Sequence, residues 1–139
     1  MLLLIPLVIA AAVLGFGWWL LQYTCARKDR PEGWEALRVE QSGNELWQRL
    51  YREGLHWLDG QETEELEIQS DDGFRLSGVL IPHIAPRGTV LLFHGWRSSW
   101  ELDFTCILPA LHDHGLQLVL PDQRAQGDSE GRYITYGVR

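Results

Sequence analysis

The apolar positions change rhythm several times along the 139-residue chain, and each rhythm predicts a different element. Residues 2–21, LLLIPLVIAAAVLGFGWWLL, carry no charge, and the uncharged run continues to Ala26. At about 1.5 Å per helical residue, about 20 apolar residues match a bilayer core, so residues 1–26 are expected to form a single-pass transmembrane anchor. No basic residue precedes the run, and Tyr23-Thr24-Cys25 is a poor cleavage site, which favours a retained anchor over a cleaved signal. Trp18, Trp19 and Tyr23 fall where an aromatic belt meets the headgroups. Arg27, Lys28 and Arg30 follow the run, so the soluble part is expected on the cytoplasmic side, although Asp29, Glu32 and Glu35 dilute that bias.

The chain then turns polar. Residues 27–42 are mixed in charge and show no sustained period, as in a linker. Ser42 and Glu45 have the spacing of a capping box. Behind them Leu46, Trp47, Leu50, Tyr51, Leu55 and Leu58 recur every three or four residues, which predicts an amphipathic helix over 43–58 stopped by Gly60. Trp47 and Tyr51 read as core residues and His56 as a surface histidine. From Leu66 the period drops to two, Asp72-Gly73 offers a tight turn, and Phe74 to Ile81 resumes in strand-like composition: a β-hairpin.

Beyond a Pro-containing loop, TVLLF (residues 89–93) is apolar without alternation, as in a strand buried on both faces. A helix is expected from about Trp100 to His114, capped by Gly115, with Pro109 kinking it or opening its second half. LQLVLP follows as another unbroken apolar strand, then the turn-rich DQRAQGDSEG. A hairpin followed by β-α-β indicates an α/β sheet with one right-handed crossover.

Composition narrows the partners. Twelve Lys and Arg stand against 19 Asp and Glu, a formal net charge of −7, which argues against nucleic acid because phosphate binding needs clustered cations. Cys25 and Cys106 form no metal-ligand pair and predict no disulfide framework. His112-Asp113-His114 sit consecutively on a helix and point apart, so no metal site is expected there, and no cofactor is implied.

The candidate chemistry lies in GDSEG, Gly127 to Gly131, which fits the G-x-S-x-G pattern of serine nucleophiles. A nucleophile elbow needs a strand immediately before its Ser and a helix immediately after. Here the strand ends near Pro121, RYITYG is no helix start, and EGRYITYGVR holds neither His nor Asp after Ser129. Ser129 is therefore expected not to be a nucleophile, and Ser98 and Ser99 read as helix caps.

LLFHGW followed by LVLPDQRAQGDSEGRYITYG resembles another part of the same fold, the N-terminal portion of an α/β-hydrolase. The likeness is greatest to the bacterial serine aminopeptidase or esterase/lipase-like group. It covers about Glu62 to Tyr136 and rests on His94-Gly95 and on the ordered set Asp122, Arg124, Gly127, Ser129 and Gly131. Ala125 and Gln126 stand where members of that group carry Gly or Ala and then His.

The resemblance implies that the Trp96 backbone N–H is an oxyanion-hole donor, that His94 and Gly95 shape its loop, and that Asp122 and Arg124 pair to brace theirs. Gly127 and Gly131 would permit unusual backbone angles, with Ser129 supporting the same loop. It implies further that the nucleophile, acid and catalytic His lie in later elements. The expectation is an incomplete α/β-hydrolase domain over 43–139, the front part of a membrane-anchored serine hydrolase. Such a chain would be inactive alone, with a small-molecule or peptide substrate only in a full chain. The alternative is a non-catalytic, membrane-anchored remnant serving as an interaction protein.

Overall fold

The computed structural model describes residues 4–135. A helix α1 runs from Leu4 to Cys25, long and apolar enough to cross a membrane and with none of its apolar window buried against the protein. Its end carries a stacked aromatic column, Phe16 on Trp19 and Trp19 on Tyr23, with ring centroids 5.8 and 5.4 Å apart.

The segment expected to be a linker holds a second helix, α2, from Trp34 to Gln41. It buries only Val39 fully, too short a stripe for a period to register in sequence. Ser42 closes this helix, its Oγ donating to Val39 O at 2.6 Å, and so is not free to cap the next. Asn44 takes that role: its extended backbone lets Oδ1 accept from Trp47 N at 3.0 Å, and α3 runs from Glu45 to Leu58. Val39, Tyr51 and Leu102 form a small core where α2 meets α3, flanked by Trp34, Trp47, Leu55 and Cys106. Burial there pushes the Tyr51 hydroxyl up to about 12.

Strands β1 (Glu64–Gln69) and β2 (Arg75–Ile81) make the antiparallel hairpin, with Glu65 opposite Val79 and Ile68 opposite Leu76. Gly73 turns it at φ +90°, its N–H donating to Ser70 O at 2.8 Å. Strand β3 covers Gly88–Leu91. The predicted long helix is divided: α4 spans Trp100–Phe104 from a Ser99 cap, and α5 spans Leu108–Asp113 with Pro109 in its first turn. A proline has no N–H to donate back into a continuous helix, so it opens the second piece. Strand β4, Leu116–Pro121, lies between its neighbours in the order β1-β2-β4-β3, antiparallel to β2 and parallel to β3.

The fold is thus α/β, a four-stranded mixed sheet with helices on one face. Ile81, Leu118 and Leu120 from the sheet meet Trp100 and Leu108, with Val90, Leu92, Trp57 and Leu111 around them. The apolar runs of β3 and β4 predicted burial on both faces; the described residues cover β3 on one face only and leave the second face of β4 half-buried. Leu91 and Phe93 on the other face are 53% and 60% exposed, and β3 pairs only with β4 among the described residues. An unbroken apolar run records that both faces suit burial; it does not supply the second layer.

Candidate active site

The C-terminal ends of the parallel strands β3 and β4 lead into two loops that touch. After β3 the chain makes a tight turn held by Asp103, whose Oδ2 accepts from Gly95 N and Oδ1 from Ser98 Oγ, both at 2.6 Å. A side chain at 95 would put its Cβ 3.3 Å from that carboxylate, closer than most such contacts, so glycine suits the position. Arg97 completes the turn at φ +51°, a left-handed backbone that costs a non-glycine residue about 1–2 kcal/mol. Hydrogen bonds at Gly95, Ser98 and Ser99 hold this turn, and the Trp96 N–H is not part of them.

His94 is buried and joins the two loops. Its Nε2 accepts from Gln123 N at 3.3 Å, and the Gln123 side-chain amide donates to His94 O. With Nε2 as the acceptor, Nδ1 carries the proton and donates to Gly95 O at 3.0 Å. Sequence reasoning passed over Gln123, because a glutamine beside an Asp-x-Arg motif looks like ordinary loop polarity.

In the second loop, the Asp122 carboxylate accepts from Asp128 N at 2.9 Å. Burial raises the Asp122 carboxyl above its ordinary value, opposed by that hydrogen bond. Gly127 sits at φ +50° directly over this carboxylate, and a Cβ there would overlap it. Gly131, at φ +131°, passes the Arg124 side chain so closely that a Cβ would lie 2.7 Å from Cγ. Ala125 itself takes φ +61°.

Ser129 is fully buried. Its Oγ donates to Asp122 O at 2.6 Å and accepts from Ser77 N at 2.8 Å, stitching the loop to β2. A hydroxyl with both functions engaged and no solvent access has no route to a substrate. The expected partnership of Asp122 with Arg124 is corrected. Arg124 forms a bidentate pair with Asp72 in the hairpin turn, at 2.6 and 2.5 Å, and stacks over Phe74 at 4.6 Å. The two residues lie two apart in sequence, but the sharp turn sends their side chains in different directions.

A cavity of about 600 Å³ opens beside these loops, bounded by residues 27–30 after α1, by Ser77 and Val79 of β2, and by the start of α4. Glu101 lines it, and burial raises its carboxyl to about 7, aided by Glu35 and Asp122 nearby. Gln126 also lines it, buried, with Oε1 unpaired among the described residues.

No group of three His, Cys, Asp or Glu able to hold a metal occurs among the described residues. His112 bonds Pro82 O and His114 bonds Ala110 O, so the pair diverges. Both cysteines are free thiols.

No family model matches the chain, and no curated protein matches it. Among solved structures it is similar to the Pyrococcus furiosus esterase Pf2001, at 29% identity and a TM-score of 0.49, over 56% of this chain and 30% of that one. The α/β hydrolase GrgF from Penicillium sp. sh18 is similar at 28% identity and a TM-score of 0.44, over 50% of this chain and 24% of that one. DcsB, solved with its substrate analogue, is similar at 20% identity and a TM-score of 0.46, over 50% and 24%. The chain therefore spans less than a third of the length of each of these proteins.

Proposed function

We propose that this chain carries the front portion of a membrane-anchored α/β-hydrolase, of the serine aminopeptidase or esterase/lipase-like kind, with α1 as the anchor and the soluble part cytoplasmic. The observation that carries the reading is the turn between β3 and α4. In an α/β-hydrolase, one oxyanion donor is a backbone N–H in the loop after the third strand. Here that loop is braced by His94 and Asp103 while the Trp96 N–H stays outside the bracing. A fixed donor of this kind stabilises the negative charge that develops as an acyl carbonyl is attacked, and losing one typically costs about 3–4 kcal/mol.

The reaction served is acyl transfer to water from an ester, amide or peptide-like bond. Trp96 contributes through its backbone. His94, Gly95, Asp122, Arg124, Gly127, Ser129 and Gly131 hold the two loops in register and do not touch the reacting atoms. On this reading the nucleophile and its base are supplied by later elements of a longer chain. An oxyanion donor without a nucleophile leaves only a small residue of catalysis, so on this reading the polypeptide by itself is inactive as a serine hydrolase.

The test is a fluorophosphonate probe applied to native membranes and to the purified 139-residue chain, with the intact mass of the native species. A longer native protein that labels on a serine other than Ser129, beside a chain that does not label, is the expected result. Labelling of the 139-residue chain itself would overturn the reading. A native species of the 139-residue mass that never labels would favour the interaction-protein alternative.

A further inference from the structure

The last turn of α1 is not free of the domain. The four terminal carbonyls of a helix lack intrahelical partners and must find donors. Here the loop after β3 reaches two of them directly, Trp96 Nε1 donating to Thr24 O at 3.0 Å and the Arg97 guanidinium to Tyr23 O, and Arg97 also donates at 3.4 Å to Ala26 O just past the helix. The second loop attaches to the same point. Arg27 N donates to Arg132 O at 2.8 Å, Ile134 N donates to Cys25 O at 2.7 Å, and Gln22 Nε2 donates to Tyr133 Oη at 2.8 Å. The Arg27 guanidinium donates to Ser129 O and Gly127 O at 2.6 and 2.7 Å.

These contacts fix how the sheet stands relative to the anchor. The apolar candidate span runs from Ile5 to Cys25, about one bilayer core in length, which brings its C-terminal end and residues 26–27 to the membrane–water boundary. The elements bonded to residues 22–27 are the loops at the C-terminal ends of β3 and β4. The loop at the other end of the sheet, around Ile84, lies a strand length away, roughly 20 Å by strand rise.

We propose that the Trp96–Arg97 turn and the Arg132–Tyr133 segment rest in the headgroup layer of an anionic phospholipid bilayer, so that the end of the sheet bearing the oxyanion donor faces the membrane. The partner follows from charge and shape together. Arg27, Lys28, Arg30, Arg97 and Arg132 belong to this end, beside Asp29, Glu32 and Glu35 and the acids of the adjoining loops, of which Asp103, Asp122 and Glu130 are turned onto backbone N–H groups of the protein itself, with Glu101 and Asp128 in the cavity lining. Lys and Arg close to an anionic leaflet are attracted to it. Trp96 is 47% exposed and continues the aromatic collar of Trp18, Trp19 and Tyr23, the residue types that favour the membrane–water boundary. Arg97 lies over both the Tyr23 ring, at 5.9 Å, and the Trp96 ring, at 5.1 Å, which keeps the collar and the turn in one layer.

The inference rests on α1 being the anchor, and the experiment separates the two claims. The photocrosslinking residue p-benzoylphenylalanine is placed singly at Leu14, Trp96, Arg132 or Ile84 of the full chain in vesicles of phosphatidylcholine and phosphatidylglycerol. Lipid adducts are then read by mass. Adducts at 14, 96 and 132, lost at 84, are the expected result. Adducts at 14 but at neither 96 nor 132 overturn the inference and leave the anchor standing. No adduct at 14 removes the anchor and the inference with it. Arg132 is exposed, so its replacement reports even where replacing Trp96 disturbs the turn.

Discussion

Arg124 grips Asp72 with both guanidinium nitrogens, at 2.6 and 2.5 Å, and so ties the loop after β4 to the tip of the β1–β2 hairpin. The hydrogen bonds from Arg124 and from Ser70 hold the Asp72 carboxyl well below the usual carboxylate range. With the folded value lowered, the pair's contribution is present above the ordinary carboxylate value and is lost as pH falls through the lowered one. Protection of the Gly73 amide, its exchange rate relative to the unstructured chain at the same pH, should therefore fall in acid in the native chain. In Asp72→Asn that protection should already be low at neutral pH. Equal protection in the two proteins would remove the pair from the account of the turn.

Ser129→Ala should destabilise the chain by about 1–3 kcal/mol, because it leaves the half-buried Ser77 N–H without its acceptor. Urea unfolding followed by tryptophan fluorescence measures this. A midpoint unchanged from the native protein would show that the hydroxyl is not the stitch between loop and sheet.

At Gly127, an alanine would have to adopt φ +50° with its Cβ overlapping the Asp122 carboxylate. The left-handed backbone alone costs about 1–3 kcal/mol, and the overlap displaces the Asp128 N–H from its acceptor. The Asp128 amide should lose its exchange protection in Gly127→Ala.

Gly54 lets α3 lie against the chain at Thr105, where an added Cβ would overlap the Thr105 carbonyl. Alanine is the better helix former by about 1 kcal/mol. Backbone on the other side cannot rotate away as a side chain would, so overpacking, about 1–3 kcal/mol, should outweigh that gain. Gly54→Ala is expected to lower the melting temperature; a rise would mean that α3 stands off from residue 105.

Glu101 is raised from the ordinary 4.5 to about 7, chiefly by burial. A raised folded value means that the stability tied to its neutral form is complete below the ordinary value and is lost as pH rises through about 7. Stability should therefore fall between these limits in the native chain and stay flatter in Glu101→Gln. Carboxyl carbon NMR shifts would report the titration directly, and a midpoint near 4.5 would contradict the burial.

The sequence alone determined the elements whose signal is local. The charge-free run over 2–21 needs no tertiary contact to be a helix of bilayer length, and α1 covers Leu4–Cys25. The Asp72-Gly73 turn, the Ser99 cap and the position of Pro109 are written in neighbouring residues, and each appears where the residue types place it. Only the tertiary structure decided which distant groups meet. Arg124 reaches Asp72, 52 residues away, because the loop turns back onto the hairpin, and nothing in the spacing of Asp122 and Arg124 announces it. Ser42 closes one helix where its spacing to Glu45 suggested that it opened the next, because α2 occupies a stretch with too few apolar positions to show a period. Trp96 and Arg97 end on the carbonyls of α1, more than 70 residues earlier in the chain. Helix and turn propensities act over a few residues and can be read in order. Contacts between loops depend on where the strands deliver them, which no single stretch of sequence encodes.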